Sequence, residues 1–133
     1  MNSEHDPTSL GSTPGPRLLV NTNQLPSDGV GAIWKHPDAQ RGLDVNLIAL
    51  AAGTGIPRHD GPALDVLVHV VAGTGSLLTQ GADVDLEPGS LVWLPAGSRR
   101  GFRAGDNGLR YLTVHQRRHD ALRLERRSGE GDG

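Results

Sequence analysis

Between Gly53 and Gly108 the chain is punctuated by turn residues so often that no long helix fits. Gly53-Thr54-Gly55, Gly73-Thr74-Gly75, Gly81-Ala82, Glu87-Pro88-Gly89-Ser90, Pro95-Ala96-Gly97-Ser98 and Gly105-Asp106-Asn107-Gly108 follow one another at short intervals. Glu87-Pro88-Gly89-Ser90 fits a type II turn, with Pro supplying a fixed φ at the second position and Gly accepting a positive φ at the third. The pieces between these turns are short and rich in Val, Leu and Ile. Asp65 to Ala72 reads DVLVHVVA and Leu91 to Leu94 reads LVWL. Turn chemistry recurring at roughly 8–12 residues between β-branched runs marks an all-β sandwich or barrel.

The expected strands are Leu18–Val20, Gly31–Trp34, Leu43–Ala52, Asp65–Ala72, Leu77–Gln80, Asp83–Leu86, Leu91–Leu94, Arg99–Ala104 and a last one over Arg110–His115. Gly73 is expected to end the strand before it, Gly105–Gly108 to be a turn, and GTGIPRHDGP (53–62) to be a loop. Leu43, Val45, Leu47 and Ala49 share one face at period two, so LDVNLIALAA reads as half-buried at first and fully buried later. Leu91–Leu94 reads as a buried strand. No amphipathic helix separates the strands, which argues against a parallel βαβ fold. A sheet apolar on both faces points to a covered outer face, hence to a homodimer.

With 133 residues, the chain has the length of one domain. Residues 1–16 are polar and aperiodic and are expected to be disordered. The domain is placed at 17–118, and 119–133 as a flexible tail. The formal net charge is −2, which excludes a strongly basic nucleic-acid footprint for the whole domain. Arginines cluster late, at Arg99, Arg100, Arg103, Arg117, Arg118, Arg123, Arg126 and Arg127, and could offer a local anion-binding face or be solvated surface. The chain has no cysteine, so disulfides, zinc ribbons and thiol catalysis are excluded. No secretory signal pattern opens the sequence and no apolar run reaches the ~20 residues of a membrane span, so the expected setting is cytoplasmic.

Two runs resemble the motifs of the cupin superfamily. GTGIPRHDGPALDVLVHVVAGTG (53–75) resembles the first, a glycine followed by a His-x-His pair, an acidic ligand and a β-rich run ending in Gly. GSLVWLPAGSRR (89–100) resembles the second, with Gly89, Pro95 and Gly97 matching its frame. The resemblance implies a single-domain, all-β jelly-roll barrel. It also implies a metal held by two histidines, a Glu and a later His, and here the sequence departs. His59 stands at the first His position and Gly61 at the second. The Glu position falls on Asp65 or Val66, depending on whether it is counted from His59 or from Gly73, and Arg100 stands at the last His position.

Three readings of function follow. In the first, the domain is a small-molecule binding module without metal, holding an anionic ligand through His59, Arg100, Phe102 and Trp93. A guanidinium at a ligand position repels a cation and favours a carboxylate or phosphate. In the second, a divalent transition metal is held by a substitute set of His59, Asp65, His69 and His115, and the protein is a dioxygenase or isomerase of the cupin type. That set needs Asp65 and His69 to point inward. If Val66, Val68 and Val70 line the interior instead, both point out, and the sequence leaves this parity open. In the third, the Arg-rich tail after Val114 marks a regulatory or protein-interaction domain.

Overall fold

The computed structural model describes residues 15–118. The expected disorder of the N-terminal stretch, up to residue 14, and the expected flexibility of the tail from residue 119 lie outside them. Seven antiparallel strands make up the fold. They are β1 (Gly31–Lys35), β2 (Leu43–Leu50), β3 (Gly55–Asp60), β4 (Val66–Leu78), β5 (Val84–Leu86), β6 (Leu91–Leu94) and β7 (Arg99–Gln116). Among the described residues no helix is long and apolar enough to cross a membrane.

Two long strands form the spine. β4 and β7 pair antiparallel over almost their whole lengths, from Leu67↔Val114 to Leu78↔Gly101. The first half of β4 lies between the second half of β7 and β6, and β2 and β1 continue the sheet beyond β7. The second half of β4 pairs with β5, and the first half of β7 pairs with β3. The expected all-β class is what the described residues adopt, with every strand pair antiparallel.

The differences from the expected strand map have identifiable causes. Asp65–Ala72 and Leu77–Gln80 join into β4, and Arg99–Ala104 and Arg110–His115 join into β7. Gly73 does not end its strand, and Gly105–Gly108 is not a hairpin. The register between β4 and β7 jumps there from Gly73↔Leu109 to Gly75↔Ala104, so the extra residues on β7 form an irregular bulge. A bulge bends a strand without ending it, which turns both long strands from one part of the sheet to the other. Residues 55–60, expected as loop, form β3, and the register shift between Ile56 and His59 accommodates Pro57. Leu18–Val20 forms no strand.

The turn over Glu87–Ser90 forms as read, with Ser90 N–H donating to Glu87 O at 2.9 Å. Gly89 there has φ +97°, a value only glycine adopts without strain. Val66, Val68 and Val70 of β4 point inward and are at most 4% exposed. They join Leu77, Leu86, Leu94, Phe102, Ala104, Leu109 and Tyr111 in one core. The Phe102 and Tyr111 rings stack inside it, centroids 4.5 Å apart and planes at 15°. Leu91–Leu94 is not a buried strand. Leu94 is buried, while Leu91 and Trp93 alternate outward.

Candidate functional site

The bent sheet encloses a cavity of about 750 Å³. Cross-strand register arranges its wall in layers, because directly paired residues put their side chains on the same face. Ala32, Ile48 and Tyr111 make the apolar layer. Lys35, Asn46, Thr113 and Val68 make the next. Asp44 lies opposite His115, and Val66 opposite Leu94, in the third. From the other half of the barrel, Ile56 and His59 of β3 sit opposite Phe102 and Arg100 of β7. His36, Arg41, Val45, Pro62 and Arg118 complete the wall. The cavity is thus apolar in one layer and polar toward one end.

Arg100 is the group that this interior least expects. It is 3% exposed and is the one charged side chain among the buried described residues. Its Nη1 donates to Ser98 O at 3.2 Å and to Ser98 Oγ at 3.3 Å. Among the described residues its guanidinium makes no ion pair; the pairs that form are Arg17–Asp38, Arg41–Asp44, Arg58–Asp83 and Arg99–Asp60. A guanidinium carries five N–H donors and stays protonated in proteins. Burial pulls its pKa down, since leaving water disfavours the charge. An anion entering the cavity would reverse that penalty.

Gly61 makes room for this arrangement. A Cβ there would lie 1.8 Å from Arg100 Nη1 and 2.3 Å from its Cζ. The glycine at the second His position and the arginine at the last one therefore share one space, and a side chain at 61 would collide with the guanidinium.

Three histidines line the cavity, His36, His59 and His115. His59 Nδ1 lies 3.0 Å from Pro57 O and His115 Nδ1 lies 2.9 Å from Gln116 O. A carbonyl only accepts, so in each of these two rings Nδ1 is the donor. Asp44 accepts from Arg41 Nε at 2.7 Å and is paired with it. The Tyr111 phenol is pushed up by burial and stays neutral.

Of the residues singled out in the sequence, His59, Arg100, Phe102 and His115 line the cavity. Trp93 does not: it is 62% exposed on the opposite face of the sheet. The substitute metal set also comes apart. With the valines of β4 inward, Asp65 and His69 face outward and are exposed, and Asp65 Oδ1 accepts from Ala96 N–H at 3.0 Å outside the cavity. Among the described residues no three His, Cys, Asp or Glu side chains converge. His59 and His115 alone do not fit a transition metal, which needs three or four converging ligands.

Lys35, Arg41, Asp44, Asn46 and Thr113 were not singled out in the sequence. The signal was the polar pair Asp44 and Asn46 alternating with apolar residues in β2. The inward side of that half-buried strand is its polar one, and Leu43 is 52% exposed. Of the late arginines, Arg117 is a structural tie, its Nη1 donating to Ala39 O at 2.6 Å and Arg41 O at 3.2 Å.

Comparison with known proteins matches this architecture. A conserved protein of unknown function from Streptococcus pyogenes superposes with a TM-score of 0.59 at 18% identity, over 80% of this chain and 92% of its own. The polyketide cyclase RemF from Streptomyces resistomycificus gives 0.59 at 19%, over 76% and 80%. A cupin 2 conserved barrel domain protein from Rhodopseudomonas palustris gives 0.57 at 23%, over 62% of this chain and only 57% of that one. At these identities the likeness shows the fold alone. No protein of curated function matches the sequence. The model of the AraC-like ligand binding domain matches residues 47–133, which include β3 to β7 and the cavity residues they carry. The chain belongs to the AraC-like ligand-binding domains, on a cupin jelly roll.

Proposed function

We propose that the domain binds a small organic anion without a metal, with Arg100 as anchor and the apolar end of the cavity holding the rest of the molecule. The observation that carries this reading is a buried guanidinium with no carboxylate partner among the described residues, facing an apolar cavity. An uncompensated buried charge is costly, and a ligand carboxylate held by two parallel N–H···O bonds offsets that cost. Lys35, Arg41, Arg100 and Arg118 line the cavity against Asp44 alone, although the whole chain has a net charge of −2. That cations converge inside a cavity supports a small ligand over a nucleic acid. Cavities of this size hold drug-sized molecules. His59, across the register from Arg100, offers its second ring nitrogen to a polar ligand group near the anion. The lack of cysteine is compatible with a cytoplasmic setting.

The test is calorimetric titration of the full chain with phenylacetate, octanoate and their uncharged amides. The wild type is expected to bind the acids and not the amides. Arg100→Met is expected to weaken acid binding by roughly 10- to 100-fold, the scale of hydrogen bonds to a charged group. Equal binding of acids and amides would remove the anion from the proposal, and unchanged binding by Arg100→Met would remove the anchor.

A second reading, a metal-dependent cupin enzyme, has one observation in its favour. His59 and His115 both tie Nδ1–H to a backbone carbonyl, the arrangement that orients metal-ligating histidines. It needs ligands beyond these two. Elemental analysis of chelator-free protein, before and after loading with Fe, Mn, Zn, Ni and Cu, decides it. About one metal per chain, lost in His59→Ala, would favour the enzyme; no uptake would leave the anion-binding module.

A further inference from the structure

Tyr111 carries a second polar group that the interior leaves unanswered. It is 2% exposed and lines the cavity in the apolar layer. Its cross-strand neighbours, Ile48 and Val70, have no hydrogen-bonding side chain, and its ring stacks on Phe102. Among the described residues the phenol meets no hydrogen-bond partner, and burial alone pushes its pKa up. It is therefore a neutral O–H, able to donate and to accept. The polar side chains of the next layer, Asn46 and Thr113, pair with each other, Asn46 Nδ2 donating to Thr113 Oγ1 at 3.4 Å.

Packing does not account for the phenol oxygen. The chain has one Phe and one Tyr, and the two rings lie face to face. A phenylalanine at 111 would make the same stack in nearly the same volume. A hydroxyl taken out of water without a partner is destabilising. Arg100 is the other buried group of this kind, and Phe102 links the two. Its ring stacks on Tyr111, and it lies two residues along β7 from Arg100, on the same face. That step is about 7 Å, so a small molecule anchored on Arg100 reaches Tyr111.

We infer that the ligand is an oxygenated acid, a hydroxy or oxo acid whose second oxygen hydrogen-bonds the Tyr111 phenol while its anionic group meets Arg100. This rests on the anion-binding reading above and specifies the part of the molecule that the apolar layer holds. Arg100 selects for charge, and Tyr111 selects among acids. The selection has a direction, because a site with a buried hydrogen-bonding group disfavours a ligand that leaves that group unmet. A plain apolar acid fills the space beside the phenol and leaves it unsatisfied.

The test is calorimetric titration of the full chain and of Tyr111→Phe with phenylacetate, mandelate and the ortho-, meta- and para-hydroxyphenylacetates. These acids place a hydroxyl at several distances from one carboxylate. In the wild type at least one hydroxy acid is expected to bind roughly 5- to 10-fold more tightly than phenylacetate, the scale of one net hydrogen bond. In Tyr111→Phe that acid is expected to bind no better than phenylacetate, because its hydroxyl is then buried without a partner. Phenylacetate itself is expected to bind the variant at least as tightly as the wild type. The ligand-free variant is expected to melt at or above the wild-type temperature. Melting well below wild type would reveal a partner for the phenol within the protein and overturn the inference. So does an advantage that survives Tyr111→Phe, which would assign the second oxygen to Asn46 and Thr113. An equal loss for phenylacetate and the hydroxy acids overturns it too, since the phenol would then share the carboxylate with Arg100. Phenylacetate binding that depends on Arg100, with no advantage for any hydroxy acid, overturns this inference and leaves the anion reading standing. Acids that bind no better than their amides overturn both.

Discussion

The two faces of β4 carry similar side chains to opposite ends. Val66, Val68 and Val70 are sealed into the core, while Leu67, one residue out of phase, stands 44% exposed. Hydrophobicity does not separate them; what lies across each face does. The inner face meets the rest of the barrel, and its stability comes from packing around Phe102 and Tyr111. The outer face meets its own N-terminal segment at one end and solvent at the other. The inner face is also the more heterogeneous, because it ends in the charged and polar groups that line the cavity. The less uniform of the two surfaces is the one with the candidate site.

The sharpest way to break this comparison is to remove one aromatic from each face. Phe102→Ala deletes a stacked, 6% exposed ring from the core and should cost about 3–5 kcal/mol. Trp93→Ala removes a larger side chain from the outer face and should cost the isolated monomer under about 0.5 kcal/mol. Urea denaturation at sub-micromolar protein measures both, and similar losses would mean that the outer face is core.

Binding should respond to a smaller change. Gly61→Ala adds one methyl carbon, 1.8 Å from Arg100 Nη1. The obstacle is the tip of a flexible side chain, so the fold should hold and the guanidinium should move. Carboxylate affinity should then fall nearly as far as in Arg100→Met, about 2 kcal/mol, with the melting temperature within a few degrees of wild type. Titration beside calorimetric melting reads the two effects separately. Retained affinity would show that the anion does not depend on where the guanidinium sits.

Arg100→Met tests the same site through stability. Replacing a buried charge that lacks a protein partner by an apolar side chain of similar length should be neutral or stabilising by about 1 kcal/mol in the ligand-free protein. Saturating ligand should reverse the order, since only the wild type gains from binding. Differential scanning calorimetry with and without phenylacetate reads both. A ligand-free loss of several kcal/mol would reveal a partner for the guanidinium within the protein.

How much of this was legible in the sequence depended on how local the constraint was. The Glu87–Ser90 turn could be read because its φ requirements fall on Pro88 and Gly89 themselves. That Arg100 lines the cavity could be read because the spacing from Gly89, Pro95 and Gly97 fixes its place in the motif frame. The parity of β4 could not, because Leu67 and Val71 are as apolar as the valines between them, and only the rest of the barrel decides which set is covered. The fusion of strands into β4 and β7 was hidden because Gly73 and Gly105–Gly108 have turn composition but lie in a bulge. The polar end of the cavity was hidden for a related reason. Asp44 and Asn46 look like the solvent side of a half-buried strand, and what they face is a cavity, whose existence is a property of the closed barrel and not of β2.

The smallest expected effect is the most discriminating between the faces. Leu91 is 67% exposed at the edge of the outer face, opposite His69. In dilute solution Leu91→Ser removes little that is packed, and its stability should match wild type within about 0.5 kcal/mol. If two copies associate through this face, the two should separate at high concentration, because association with a folded partner stabilises the folded state by mass action. The wild-type denaturation midpoint should then rise with protein concentration and the variant's rise less. A core substitution such as Val68→Ala, at a residue with 0% exposure, should lower the midpoint at every concentration alike. Parallel curves for wild type and Leu91→Ser would place Leu91 outside any contact, whereas a gap that opens with concentration would give the outer face an energetic role that the inner face, already closed, does not share.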